Sequence, residues 1–554
     1  MTAPIAVKCD SCGQSFSFKP GVGQCPHCGG EWLDPLYDLP ATKKIWQTDL
    51  SRRPQTMWRY WELLPLVNRE NIISMGEGFT PLLHLQNLGL MVGHPHIYLK
   101  DERQNPTGSF KDRQASLAIS TFKENGIKEF AVASTGNVGI SYSAYAARAG
   151  IKVWAFLNSA VPQDKMREIA LYGTEVIKVT ASYDRTKKVA ARFAKRQGVF
   201  YDKGVKNIAA KEAMKTVAFE IAEQLSAFFS PTDGKFITPD WYVQAVSGGL
   251  GPVGVWKGFL ELKEMGLVDR LPKMAHIQAA GCAPMVTAFN AGLVRAKPVE
   301  IPQTLIATVA TGDPGDVYPH LRQIALTHGG HFEAILDDES FHAMHVLAQL
   351  EGISMEPAPA MAFAGLFKMI SRQIIKPTET VVVNCSGHTF PVEKHLLDDR
   401  RVRALHPDVV TPDTGEGVLA ALDNLDTRIR RIVIVEDDPN AARLLQRILQ
   451  VRGKYKIFHA ADGEAGLTLI QQKRPDLVLL DLMLPKMDGF SVLDRMKDDG
   501  GLKHIPVVVI TAKSLTRYDR DRLAGRVQTL LRKGNFTDDD LLDDILATLE
   551  DNQN

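Results

Sequence analysis

The strongest constraint on this chain is an alternation that occurs twice. Short β-branched runs alternate with stretches of helical period from about residue 35 to 400, and a second alternation starts abruptly at Arg430. A strand followed by a helix returns the chain to the edge it left, so successive strands lie parallel, and both stretches are expected to fold as α/β units. Between them, residues 404–427 hold His406-Pro407, Thr411-Pro412 and Thr414-Gly415-Glu416-Gly417, the composition of a linker. Residues 1 to about 34 are instead rich in Cys and Gly. The expected organisation is a small module at 1–34, a large body at 35–400, a linker at 401–428 and a terminal domain at 429–554. That agrees with the three or four domains that 554 residues suggest at roughly 150 residues each.

Charge and hydropathy exclude several classes. With 65 Lys and Arg against 64 Asp and Glu, the net charge of +1 argues against nucleic-acid binding as the main activity. No apolar run approaches the 18 residues of a membrane span, and the first eight residues do not read as a secretory leader. A cytoplasmic protein with no membrane partner is expected.

Four of the six cysteines form two CxxC knuckles, Cys9-Asp10-Ser11-Cys12 and Cys25-Pro26-His27-Cys28, each followed by Gly. Two residues between thiolates let one tight turn bring both sulfurs to a tetrahedral ion, and four thiolates close the coordination sphere. A structural zinc (Zn) site is expected, with His27 outside it; a redox CxxC is the weaker reading of one knuckle and does not explain the second.

In the body, a strand near 96–100 leads into Asn105-Pro106-Thr107-Gly108, a turn. Ala115, Ala118, Ile119 and Phe122 then follow at helical spacing, so Lys111 falls at a helix start. The positive end of the helix dipole there favours a free amine, as Schiff-base chemistry requires. Further on, a strand at 128–133, the polar loop Ser134-Thr135-Gly136-Asn137 and a small-residue helix at 138–149 offer free amides to a carboxylate. A strand at 241–246, the loop Ser247, Gly248, Gly249, Leu250 and Gly251, and a helix at 252–265 offer amides to a phosphate. Residues 249–254 also spell G-x-G-x-x-G with Asp269 twenty residues on. The acid of a dinucleotide site should end the second strand, however, and Asp269 precedes the expected strand at 274–279.

NPTGSFKDR at 105–113, STGN at 134–137, the glycine loop, Met355-Glu356-Pro357-Ala358 and VVVNCSGH at 381–388 resemble the pyridoxal 5'-phosphate (PLP) enzymes of the tryptophan-synthase-β fold, and most closely threonine synthases. The likeness covers about residues 40–400. It implies a two-domain body of PLP fold type II, preceded by a zinc ribbon as in some threonine synthases, and a homodimer. Carried over position by position, Lys111 would hold the cofactor covalently and shuttle protons. Asn137 would bond the ring 3-hydroxyl, Ser247, Gly248, Gly249, Leu250 and Gly251 would hold the phosphate, and Ser134, Thr135 and Gly136 would take the substrate carboxylate. Ser386 would face the pyridine nitrogen, where a hydroxyl suits elimination and replacement better than transamination. Cys385 is the alternative there, but strand alternation points it to the opposite face.

The chain departs from the family where the phosphate of O-phosphohomoserine should bind. Aligned on Lys215-Thr216, an expected Asn-Ser, Asn-Pro and Arg become Gly204-Val205, Asn207-Ile208 and Ala210; the hydroxyl after STGN is Val138, and an Asn of the glycine loop is Gly248. Only Ser134 and Asn207 keep polar side chains. Losing charge-assisted donors worth roughly 1.5 to 3 kcal/mol each weakens phosphate binding unless Lys203, Lys206 and Lys211 replace them. A serine or threonine dehydratase, or another β-replacement enzyme, is the competing assignment.

From Arg430, strands at 432–435, 456–459, 477–480, 507–510 and 529–531 alternate with helices, which describes a doubly wound, flavodoxin-like parallel sheet. Glu436, Asp437 and Asp481 fall at strand carboxyl ends, where clustered carboxylates need a hard cation such as magnesium (Mg) or calcium. VIVEDDP, LVLLDLMLPKMDG and VVVITAKS resemble response-regulator receiver domains. The likeness implies that Asp481 accepts a phosphoryl group from a sensor histidine kinase or phosphotransfer protein. Glu436 and Asp437 would join it in binding magnesium, Thr511 would follow the phosphoryl group and Lys533 would pair with it. Gly534 and Leu530 stand where the family has a proline and an aromatic. No helix-turn-helix is expected in the short stretch after Lys533, so the upstream enzyme or another protein is the expected effector. The alternative is a phosphorelay protein whose PLP domain senses a metabolite.

Overall fold

A computed structural model of the protein describes residues 4–159, 161–231, 234–388, 402–405, 431–452, 455–511, 519, 522–523, 527 and 529–532. The chain divides into two compact units, Met1–Val410 and Thr411–Asn554.

The first unit begins with a three-stranded antiparallel sheet in the order Ser15–Phe16, Ala6–Cys9, Leu33–Leu36. The last strand crosses residue 34, where the module was expected to end. Ala6 opposes Leu36 and Cys9 opposes Leu33, so this strand must run on to pair the whole of its partner.

Two larger sheets follow. One has six strands in the order His331–Ile335, Lys273–Ala279, Trp241–Ala245, Val381–Cys385, Ile97–Asp101, Leu82–His84, parallel except for the last pair. The other has five parallel strands in the order Val402–Leu405, Glu175–Val179, Lys152–Asn158, Glu129–Ser134, Phe200–Tyr201. Strands Ile97–Asp101 and Val381–Cys385 are buried at every position, as parallel strands covered on both faces must be. The edge strand Val402–Leu405 lies inside the expected linker. It satisfies amides that Glu175–Val179 would otherwise leave bare on one side, which the linker-like composition further on concealed.

The second unit is a five-stranded parallel sheet in the order Lys456–Ala460, Arg431–Val435, Leu477–Leu480, Val507–Thr511, Thr529–Arg532. Each strand lies within one residue of its expected position. The chain reverses direction across the sheet between Arg431–Val435 and Leu477–Leu480, the crevice where doubly wound sheets place their sites. Among the described residues no helix is long and apolar enough to cross a membrane.

Candidate active site

Lys111 opens the helix Lys111–Glu124, and the turn before it is braced from inside the helix. Asp112 accepts from Thr107 N at 2.7 Å and from Thr107 Oγ1 at 2.5 Å, and burial raises its carboxyl to about 7. Asn105 Oδ1 accepts from Gly78 N at 3.0 Å, tying the start of the motif to a second loop. Arg113 is wholly buried and reaches Glu102 at 2.7 Å and Glu220 at 2.5 Å, while Lys100 takes the other oxygen of Glu220 at 2.8 Å. The motif is therefore a rigid mount for one amine. Burial lowers the Lys111 ammonium to about 8, the direction that its place at a helix start suggested.

Lys111 lines a cavity of about 540 Å³ at the carboxyl ends of strands from both large sheets. Opposite it, Ser247, Gly248, Gly249, Leu250 and Gly251 cross from Trp241–Ala245 into the helix Leu250–Glu264, two residues earlier than expected. No side chain caps this helix, leaving its first-turn amides for an anion. Gly249 holds φ at +82°, and a Cβ there would stand 2.6 Å from Val317 Cγ1. A Cβ at Gly248 would meet nothing within 4 Å, so the loop leaves room for a phosphate. Ser386 Oγ accepts from Phe110 N at 2.9 Å, which leaves its own proton to donate. Cys385 is fully buried, with its thiol 3.9 Å from Met355 Sδ, on the side away from the cavity. Asn384 is buried at the cavity wall, with its side chain beside Tyr242. Free amides, a hydroxyl donor and a lysine whose ammonium is lowered to about 8 are groups that suit PLP.

The substrate side differs from expectation. Thr135 lines the cavity and donates to Thr308 O at 3.3 Å. The Ser134 hydroxyl is instead occupied by Gly136 N at 3.0 Å and Gly139 N at 2.8 Å, so it shapes the loop. Gly136, at φ +134°, supplies only backbone. Asn137 lines the cavity with its side chain clamped: its Oδ1 accepts from Lys165 Nζ at 2.6 Å and its Nδ2 donates to Glu356 Oε2 at 3.3 Å. Lys165 pairs with Glu356 at 2.5 Å. Lys165 escaped the sequence analysis, although its helix Gln163–Leu171 follows the carboxyl end of a parallel strand, and Glu356 was read only as part of a motif. Thr311, bonded to Ser247 Oγ at 2.5 Å, lies in an irregular segment with no local signal. Asn207 caps the helix Ile208–Phe229 by accepting from Ala209 N at 3.0 Å, and Lys211 is buried against Leu33 O at 2.7 Å. Asp269 is exposed, pairs with Lys235 and ends no strand, contrary to a dinucleotide site.

The sulfurs of Cys9, Cys12, Cys25 and Cys28 lie within 4.8 Å of one another. Gly13 N and Gly29 N donate back to Cys9 O and Cys25 O at 2.8 and 2.9 Å, so the two knuckles repeat one turn. His27 is exposed. In the second unit, oxygens of Glu436, Asp437 and Asp481 lie within 4.8 Å of one another, and buried Thr511 ends the strand Val507–Thr511. Lys533 lies outside the described residues.

A glycine-cradled pocket facing a half-buried lysine between two largely parallel sheets defines a pyridoxal-phosphate dependent enzyme, and the model of that family matches residues 73–387. Residues 432–546 match the response regulator receiver domain. Threonine synthase of Methanocaldococcus jannaschii is 34% identical over 69% of this chain and 91% of its own length, and that of Methanosarcina acetivorans 34% over 71% and 93%. The solved structure of maize serine racemase aligns with 57% of this chain and 89% of its own at 20% identity, with a TM-score of 0.49. The chain belongs to the threonine synthase family and carries a receiver domain.

Proposed function

We propose that the Met1–Val410 unit is a PLP-dependent carbon-oxygen lyase of threonine synthase type, converting O-phosphohomoserine to threonine and phosphate. The observation that carries this reading is the half-buried, low-pKa Lys111 facing the uncapped glycine loop. Bound PLP supplies an electron sink for the carbons of the amino acid. Lys111 Nζ would anchor it and move protons at the substrate carbons, because burial lowers its ammonium toward working pH. Ser386 Oγ would donate its free proton to the ring nitrogen, and Asn137 would face the ring hydroxyl. Thr135, with the amides opening the helix Asn137–Ala149, would orient the carboxylate.

One observation favours a serine or threonine dehydratase instead. No arginine lines the cavity among the described residues, and Lys203 and Lys206 are both paired with Glu31. One assay separates the two readings. O-phosphohomoserine should yield equal phosphate and threonine; 2-oxo acid from serine or threonine with no phosphate release would favour the dehydratase.

The Thr411–Asn554 unit is proposed to bind magnesium through Glu436, Asp437 and Asp481, accept a phosphoryl group on Asp481 from a histidine kinase and tune the lyase. Asp481→Asn should abolish labelling by acetyl phosphate and any change that labelling makes to threonine formation. Labelling that persists in the variant would remove Asp481 from this role.

The four cysteines would hold one structural zinc. Cys12→Ser should lower zinc content from one ion per chain and lower the melting temperature, because metal binding energy is folding energy in such modules. Unchanged zinc content would refute the assignment.

A further inference from the structure

We infer that Glu31 of the cysteine module is a built-in competitor for a phosphate group that Lys203 and Lys206 are placed to bind at the wall of the catalytic cavity. The inference rests on the proposed PLP lyase, because these three residues line the same cavity as Lys111 and the glycine loop.

The Glu31 backbone is fixed on both sides. Gly30 O accepts from Cys25 N at 2.8 Å and Trp32 O accepts from Asp10 N at 3.1 Å, so the module itself places the carboxylate. Its two oxygens are divided between two cations: Oε1 meets Lys203 Nζ, and Oε2 meets Lys206 Nζ at 2.8 Å. The Lys203 hydrogen bond leads in holding the carboxyl down to about 2. A bidentate anion bridging two ammonium groups is also how a phosphate would sit there.

The lysines have a rigid base and exposed ends. They bracket the turn Gly204–Lys206, where Asp202 accepts from Gly204 N at 3.3 Å and from Asn207 Nδ2 at 2.9 Å. The ammonium-bearing side chains of Lys203 and Lys206 are 46% and 38% exposed, and ion pairs this open are weak enough for a dianion to displace. Lys211, buried against Leu33 O, has no such freedom. Glu31 therefore sets how much anion affinity the two lysines offer. A phosphate ester of the substrate and released inorganic phosphate share the required chemistry.

The test uses the PLP-loaded holoenzyme, so that inorganic phosphate cannot enter the glycine loop, and measures binding of inorganic phosphate and of O-phosphohomoserine by calorimetry. Glu31→Gln keeps the side chain's shape and removes its charge. It should tighten phosphate binding about two- to fivefold, the range that an exposed ion pair spans. The double variant Lys203→Met with Lys206→Met should lose that binding. Phosphate affinity unchanged in Glu31→Gln, with the melting temperature unchanged or lowered, would overturn the inference and leave Glu31 a clip between module and body. A response from both ligands assigns the site to the substrate's ester, and a response from inorganic phosphate alone assigns it to the product. If binding responds as stated but O-phosphohomoserine is not consumed, the proposed reaction fails and the anion site stands.

Discussion

Lys111→Ala should reduce threonine formation by at least about a thousandfold, within the 100- to 10,000-fold range of a positioned acid-base group and with a lost covalent anchor besides. The same variant should bind PLP without the absorbance band of a lysine-bound cofactor. Retained activity above a tenth of wild type would remove Lys111 from the chemistry. The burial that lowers its ammonium to about 8 adds a pH signature. In cofactor-free protein the reactive species is the neutral amine, whose fraction grows as pH rises through that value. The rate of PLP loading should therefore rise about tenfold from pH 7 to 9, and then level off. An ordinary lysine would still be rising at pH 10.

Glu220→Ala should destabilise the body by about 3–5 kcal/mol, because it strips a shared carboxylate from two fully buried cations, Arg113 and Lys100. Burial alone would raise the Glu220 carboxyl, yet Arg113 and Lys100 together hold it down to about 2. All seven tryptophans lie before residue 257, so tryptophan fluorescence during urea unfolding follows this unit alone. A loss below 1 kcal/mol would mean that Arg113 and Lys100 find other partners. Because Arg113 lies on the helix that Lys111 opens, the variant should also slow PLP loading.

The network accounts for two charged residues of NPTGSFKDR that the sequence alone could only match to a family. Asp112 braces the turn and Arg113 neutralises a buried pair of glutamates, so the motif is mostly support for one amine. Ser134 shows the opposite outcome. It was expected at the substrate carboxylate, yet its hydroxyl is taken by two backbone amides of its own loop, a competition that residue spacing does not reveal.

The sequence by itself determined the two parallel units, their strand positions and the loops that carry chemistry. Strand runs, helical periods and glycine turns are local signals, and parallel topology places the loops after each strand on one side of its sheet. The cysteine cluster and the carboxylates of the receiver were legible for the same reason. Only the tertiary structure decided which distant segments meet. Lys165 and Glu356 lie 191 residues apart and Glu31 and Lys203 172 apart. Val402–Leu405 joins its sheet beside Glu175–Val179, far back along the chain. Such pairings follow from sheet order and chain closure, and burial then set the protonation of Lys111, which depends on what surrounds the amine more than on its neighbours in sequence.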